Sequence, residues 1–271
     1  MRVGFIGLGS QGAPIARRIV EAGFDTVLWA RRLATLTPFA GTAATTAGSP
    51  AELAAAADVV CLCVVDDADV EQVAYAPEGV LAGLRPGGVV VVHSTVHPDT
   101  CRRLAERART QRISVLDAPV SGGGHAAEKG TLVVMAGGDP QIFAHCRPLF
   151  ATYGDPVVHL GPTGAGQTAK LLNNVVFTAQ LALAADAFAL GTALGLDPSG
   201  LARTLLRGSA ASFALERVAD AGGTLDRIAA HAGGLLAKDV RLFAEIAETA
   251  GARDPGPVRE AARAALRVMG L

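Results

Sequence analysis

A β-rich run, Arg2-Val3-Gly4-Phe5-Ile6, ends in Gly7-Leu8-Gly9-Ser10-Gln11-Gly12, and a helix-compatible stretch over 11–22 follows at once. No other feature narrows the fold as much. Between a strand and a helix, each glycine of a G-x-G-x-x-G turn has a mechanical meaning. The first permits the tight turn, the second lets a pyrophosphate approach the backbone, and the third lets helix and strand pack closely. The helix N-terminus then faces the ligand with unpaired N–H groups and the positive end of its dipole. The turn therefore predicts a dinucleotide site built from Gly7, Leu8, Gly9, Ser10, Gln11 and Gly12.

The rest of the first half fits that opening. Strand-like runs at 2–6, 25–30, 58–65, 88–93, 113–117, 131–136 and 156–160 alternate with helical stretches at 11–22, 50–56, 67–74, 100–110 and 140–150. Ser49-Pro50 and Asp139-Pro140 each supply an N-cap followed by proline at the first helical position. Such alternation predicts a mostly parallel, doubly wound sheet with helices on both faces, a Rossmann-type domain over 1–162. After Gly161-Pro162-Thr163-Gly164 the β-rich runs stop. Helices are expected at 165–194, 198–207, 212–220, 224–231, 234–250 and 257–269, giving an all-helical second domain over 163–271.

The second strand bears on cofactor choice. An NAD reader usually carries Asp or Glu at its end to hold the ribose 2′-hydroxyl. Here the strand ends Val27-Leu28-Trp29-Ala30-Arg31-Arg32, with no acid. Two arginines suit a 2′-phosphate, Arg31 first and Arg32 beside it. NADP is the expected cofactor, with NAD as the alternative.

Chemistry enters in two later segments. In Gly164-Ala165-Gly166-Gln167-Thr168-Ala169-Lys170-Leu171-Leu172-Asn173-Asn174, Lys170 and Asn174 stand four apart. On a helix such residues share a face, with Cβ atoms about 6 Å apart. Hydride transfer between a nicotinamide and an alcohol carbon needs a matching proton transfer at oxygen. Lys170 is the candidate acid/base, and Asn174 a candidate to fix the substrate oxygen or the lysine. A lysine works as a base near neutrality only when burial or a second cation lowers its pKa from about 10.4. In Ser121-Gly122-Gly123-Gly124, successive N–H groups and a hydroxyl suit an anion, such as a substrate carboxylate. Thr95 follows the strand at 88–93 and falls at the carboxyl end of the sheet, where ligands bind. His93, His97 and His125 are rival titrating groups, but no ordered acid partner accompanies them.

Composition excludes other classes. Net charge is −1 with both signs interspersed, so there is no basic footprint for nucleic acid. Cys61, Cys63, Cys101 and Cys146 lack the paired spacing of a zinc site, and no metal is expected. Residues 175–194 are apolar enough to raise the question of a membrane span. Their alanine richness, and Asp186 within them, point instead to a buried helix or a subunit contact. That helix is too apolar around its circumference for a lone surface helix, which predicts a homo-oligomer. The chain opens on a strand with no leader-like segment, so a cytoplasmic location is expected.

Four segments together resemble the β-hydroxyacid dehydrogenase family, whose members include 3-hydroxyisobutyrate dehydrogenase and tartronate semialdehyde reductase. They are Gly4 to Pro14, Asp117-Ala118-Pro119-Val120-Ser121-Gly122-Gly123, Gly164 to Asn174, and Lys238-Asp239. The resemblance implies an NAD(P)-dependent oxidoreductase that interconverts a small 3-hydroxy acid and its semialdehyde. It implies Lys170 as acid/base with Asn174 as its companion, and Ser121, Gly122 and Gly123 at the substrate carboxylate. It further implies Thr95 near the nicotinamide, Val64 and Val65 near the adenosine, and Lys238 reaching the cofactor from the helical domain. A homodimer or homotetramer is implied as well. The chain departs from the family pattern at Gln11, where methionine is usual, at His93 and His97 around Ser94-Thr95, and at Gly124-His125. Its segment 208–237 is shorter than in many relatives. A non-catalytic NADP-binding sensor or scaffold, and an imine-reducing relative, are the alternative readings.

Overall fold

The computed structural model describes residues 1–252 and 256–271. The chain divides into two compact units, Met1–Lys170 and Leu171–Leu271. The first unit begins β1 (Arg2–Ile6), α1 (Gly12–Glu21), β2 (Asp25–Trp29), a 3₁₀ helix (Leu33–Phe39), β3 (Thr45–Thr46), α2 (Pro50–Ala55), β4 (Val59–Leu62), α3 (Asp67–Tyr75) and α4 (Val80–Gly83). It continues through β5 (Val89–Val92), α5 (Pro98–Arg109), β6 (Ser114–Asp117), β7 (Val120–Ser121), α6 (Gly123–Lys129), β8 (Leu132–Ala136), α7 (Pro140–Phe150) and β9 (Gly154–His159).

Six strands form one parallel sheet in the order β3-β2-β1-β4-β5-β6. This is the doubly wound order, in which strand sequence reverses between β1 and β4. Side chains alternate across a strand, and two cores result. Val3, Phe5, Val59, Cys61, Val89 and Val91 face α1, α7 and the second sheet. Ile6, Val60, Leu62, Val90 and Val92 face α2, α3, α4 and α5. The sequence pattern had suggested a single sheet. Instead β7, β8 and β9 form a separate three-stranded sheet, with β7 antiparallel to β8 and β9 parallel to it. An isolated bridge between Asp117 and Gly137 ties the two sheets together.

The anticipated helix caps are present. Ser49 Oγ accepts from Glu52 N at 3.1 Å, and Asp139 Oδ1 accepts from Gln141 N and Ile142 N. Helix α5 starts two residues earlier than its pattern suggested, because His97 Nδ1 accepts from Asp99 N and Pro98 takes the first helical position.

Helix α8 (Ala165–Ala193) begins in the first unit and continues into the second, which adds α9 (Pro198–Arg207), α10 (Phe213–Asp220), α11 (Asp226–Thr249) and α12 (Pro257–Val268). Gly195, at φ 74°, follows the end of α8, and Asp197 caps α9 through Gly200 N at 2.6 Å. One expectation needs correction: the helices expected at 224–231 and 234–250 are a single helix, α11. Each glycine costs a helix interior only about 1 kcal/mol. Gly233 is buried, and a Cβ there would lie 2.8 Å from Leu271 Cδ1. The glycine makes room for the C-terminal leucine and does not break the helix. Leu181, Ala184 and Phe188 of α8 pack with Ala214, Leu215, Val218, Leu225, Leu236 and Ala265 as the core of this unit.

Candidate active site

The turn after β1 is held open by its glycines. A Cβ on Gly7, at φ 100°, would fall 2.2 Å from Cys63 O, and one on Gly12 would fall 1.9 Å from Gly7 O. Gly9, by contrast, faces open space. The first and third glycines are thus fixed by packing within the protein, and the second leaves a surface for a ligand. Ser10 is exposed, and Gln11 is the N-cap residue of α1. Gln11 Nε2 is a buried donor with no acceptor among the described residues. An unmet donor beside a bare backbone surface fits an anionic or carbonyl-bearing ligand such as a dinucleotide.

At the carboxyl ends of β1, β2 and β4 lies a cleft of about 330 Å³. Gly7, Leu8, Gly9, Arg31, Arg32, Val64 and Val65 all line it. Val64 and Val65 sit past the end of β4, which closes at Leu62. The fold also supplies an acid that the end of β2 lacks. Asp69, from α3, lines the same cleft, and its Oδ1 lies 3.3 Å from Arg31 Nη1. The Arg31 side chain is 71% exposed, and exposed pairs of this kind contribute only about 0–1 kcal/mol. Arg32 is exposed and makes no ion pair among the described residues.

Beside β4, the end of β5 carries Ser94-Thr95-Val96. Ser94 Oγ accepts from Val64 N at 2.9 Å, linking this segment to the cleft wall. Thr95 is half-buried between two buried neighbours. Gln167, on the first turn of α8, brackets it: Nε2 donates to Ser94 O at 2.8 Å, and Oε1 accepts from Val96 N at 3.1 Å. Asp117, at the end of β6, accepts from Gly164 N at 2.6 Å and Gln167 N at 2.8 Å. Burial raises the Asp117 carboxyl above its ordinary pKa, against the lowering by these backbone donors. Lys170 follows Gln167 by three residues and is half-buried.

Ser121 ends β7, and Gly122 and Gly123 turn the chain into α6. Their φ values of 129° and 75° suit glycine, and a Cβ on Gly122 would meet Ala126 Cβ at 2.6 Å. N–H groups of a first helical turn lack intrahelical partners, so this strand-to-helix turn presents donors. His125 is exposed near Glu128, with Nδ1 3.9 Å from Oε2. His93 is a core residue. It lies between Ala118 O, 2.7 Å from Nδ1, and Tyr153 Oη, 3.2 Å from Nε2, and burial lowers its pKa to about 4. A ring held neutral in the core is structural, not an acid/base.

In the second unit, Asn174 Nδ2 donates to Asp239 Oδ2 at 2.6 Å. Lys238 Nζ lies 3.1 Å from Asp239 Oδ1, within ion-pair range but without hydrogen-bond alignment. The buried Asp239 thus joins Asn174 and Lys238, two residues singled out from sequence, in one constellation. Sequence reasoning passed over Asp69, Asp117, Gln167 and Asp239. Asp117, Gln167 and Asp239 all stand within the segments that resemble the family, and for the first two polar identity inside an otherwise small or apolar segment is the available signal.

Comparison with known proteins agrees with this architecture. The family model for the NAD binding domain of 6-phosphogluconate dehydrogenase matches residues 2–161. A second model, NAD-binding of NADP-dependent 3-hydroxyisobutyrate dehydrogenase, matches residues 164–269. The chain belongs to the β-hydroxyacid dehydrogenase family. Among its β-hydroxyacid dehydrogenase relatives is the NAD-dependent L-serine dehydrogenase of Pseudomonas aeruginosa, 35% identical over 94% of this chain and 88% of that protein. The 2-(hydroxymethyl)glutarate dehydrogenase of Eubacterium barkeri is 32% identical over 80% of this chain and 72% of that protein. The structure of Mycobacterium tuberculosis 3-hydroxyisobutyrate dehydrogenase with L-serine superposes with a TM-score of 0.84 at 28% identity, covering 98% of this chain and 94% of that one. Like the family, the protein is an oxidoreductase for small hydroxy-acid or semialdehyde substrates that uses an NAD(P) cofactor.

Proposed function

We propose that this β-hydroxyacid dehydrogenase exchanges a hydride between NADP(H) and a small 3-hydroxy carboxylate, with Lys170 as general acid/base. One observation carries the reading. Gln167 bonds on both sides of Thr95, so the helix bearing Lys170 starts at the carboxyl end of the sheet that also holds the nucleotide cleft. Gly7 to Gly12, Val64, Val65 and Thr95 hold the cofactor, which when bound exchanges the hydride. The protein handles the proton: the Lys170 ammonium donates to the carbonyl oxygen in reduction, and its neutral amine accepts the hydroxyl proton in oxidation. Asn174 fixes that oxygen or the lysine, Ser121-Gly122-Gly123 holds the carboxylate, and Lys238 contributes to the cofactor. L-serine, 2-(hydroxymethyl)glutarate and 3-hydroxyisobutyrate, named for the relatives, are all primary alcohols one carbon removed from the carbon that bears the carboxylate. That shared unit supports the proposed substrate class. The test is absorbance at the reduced-nicotinamide band with these three acids and their semialdehydes. Tight NADPH binding without turnover of any would favour the sensor reading.

For the cofactor, NADPH is expected to outperform NADH, because Arg31 and Arg32 end the β2 side of the cleft. Asp69 holds Arg31 only through an exposed pair, which a 2′-phosphate can displace. Arg31→Ala should weaken NADPH binding by about 10- to 100-fold, the scale of a charge-assisted hydrogen bond, and leave NADH nearly unchanged. Titrations with both nucleotides decide this; an equal loss for the two would exclude Arg31 as the phosphate reader.

We also propose a homodimer through α8, with a homotetramer as the larger form. This helix has the length and composition of a membrane span, yet one side packs into the helical core. Its other side exposes Leu183 (64%) and Leu190 (56%), and Leu194 (76%) follows in the turn just past its end, an apolar stripe suited to a second copy. Light scattering should give at least twice the 27.5 kDa of one chain, and Leu190→Glu with Leu194→Glu should shift it toward one. Monomer mass for the unaltered protein at micromolar concentration would overturn this. The four cysteines are free, which supports a cytoplasmic, reducing location.

A further inference from the structure

We infer that Asp117 and Gln167 are positioning residues that act on turnover through Lys170. Both side chains are fully buried, and neither is used in the proton transfer itself. Burying a carboxylate and a carboxamide is costly unless every polar atom finds a partner, and here all four do. Asp117 Oδ1 and Oδ2 each take a backbone N–H from the start of α8, those of Gly164 and Gln167. The Gln167 carboxamide gives one bond and takes one, to the residues on either side of Thr95.

The backbone is fitted to the same clamp. A Cβ on Gly166 would lie 2.2 Å from Met135 O and 2.9 Å from Asp117 Oδ2, and one on Gly137 would lie 2.7 Å from Asp117 Oδ1. The helix start therefore approaches the sheet ends at a distance only glycine permits. Apolar packing would anchor a helix but tolerate sliding and rotation, whereas four directional bonds fix both. Lys170 is one turn beyond Gln167 on the same helix, so its amine inherits that register. Proton transfer is sensitive to such placement, since a displacement of about 1 Å can cost about 10²-fold.

The inference rests on Lys170 as the acid/base, and the test separates the two. Gln167→Met keeps length and burial but removes both amide bonds. Asp117→Asn keeps volume but can accept only one of the two N–H groups. Each is measured in the full-length protein, alone and with Lys170→Ala, using whichever of 3-hydroxyisobutyrate, L-serine or 2-(hydroxymethyl)glutarate turns over fastest. Gln167→Met should lower kcat by about tenfold or more, with KM and NADPH affinity changed by less than about threefold. Combined with Lys170→Ala it should add no further loss, because residues that act as one unit are not additive. An independent losses-multiply result, or a lowered Tm with unchanged kcat, would reduce the clamp to a structural role. Retained turnover in Lys170→Ala alone would instead sink the acid/base reading. A readout without substrate is available because Lys129, Lys170 and Lys238 are the chain's three lysines. Acylation at Lys170, followed by mass spectrometry, should change in rate in both clamp variants while Lys129 does not. An unchanged Lys170 rate in variants that remain folded would overturn the inference.

Discussion

Lys170→Ala is expected to lower turnover by about 10²–10⁴-fold, the usual contribution of a positioned general acid/base, and to leave the fold and NADPH binding intact. Lys170 is half-buried and follows the anchored first turn of α8, so removing its side chain leaves the Asp117 and Gln167 bonds in place. The nucleotide cleft is lined by other residues. The loss should appear in kcat and kcat/KM together, as when an interaction made only in the transition state is removed. Asn174→Ala should cost less, since a carboxamide orients and does not transfer the proton. Its Nδ2 is already committed to Asp239, so the variant also frees a buried carboxylate, and some of its cost belongs to stability. Near-normal single-turnover rates in Lys170→Ala would remove the mechanism.

What could be read from the chain alone was local. The dinucleotide turn is legible because its glycine spacing between a strand and a helix start is itself local, even though Gly7 is fixed by Cys63 just past β4 and Gly9 faces open space. The Lys170-Asn174 pair is legible because helical spacing alone places both on one side. The clamp behind Lys170 is different. Asp117 lies 47 residues from Gly164 and 50 from Gln167, and Gln167 reaches back 71 and 73 residues to Val96 and Ser94. No periodicity carries such pairings, since they depend on which strand ends the sheet brings side by side. Asp69 is hidden in the sequence for the same reason: the end of β2 carries no acid, and the fold brings one from α3, 38 residues away. The division of α11 failed through a tertiary effect on a local rule, because Gly233 makes room for Leu271 at the far end of the unit. The second sheet was hidden by the shortness of β7, two residues whose partner strand follows α6.

Blocking the substrate acid as its methyl ester should reduce kcat/KM by about 1.5–3 kcal/mol, or about 10- to 150-fold, the scale of a charge-assisted hydrogen bond. The expectation comes from the turn after β7. Gly122 and Gly123 hold φ values that other residues rarely adopt, and they lead directly into α6. The N–H groups of a first helical turn have no partners within the helix, and Ser121 adds a hydroxyl two residues before α6 begins. A carboxylate held at this turn and an alcohol oxygen held by Lys170 would give the substrate two anchors. Two anchors fix the reacting carbon in position and orientation, which is how a bound geometry lowers a barrier. An ester also adds bulk, so its loss alone does not identify the contact. Ser121→Ala supplies the control: it should weaken the acid severalfold more than the ester, because only the charged form gains fully from the hydroxyl. A ratio of acid to ester near one in the unaltered enzyme would exclude Ser121-Gly122-Gly123 as an anion site and make neutral alcohols and aldehydes the better substrate class. A ratio that stays high in Ser121→Ala would keep the carboxylate but move its recognition to another residue.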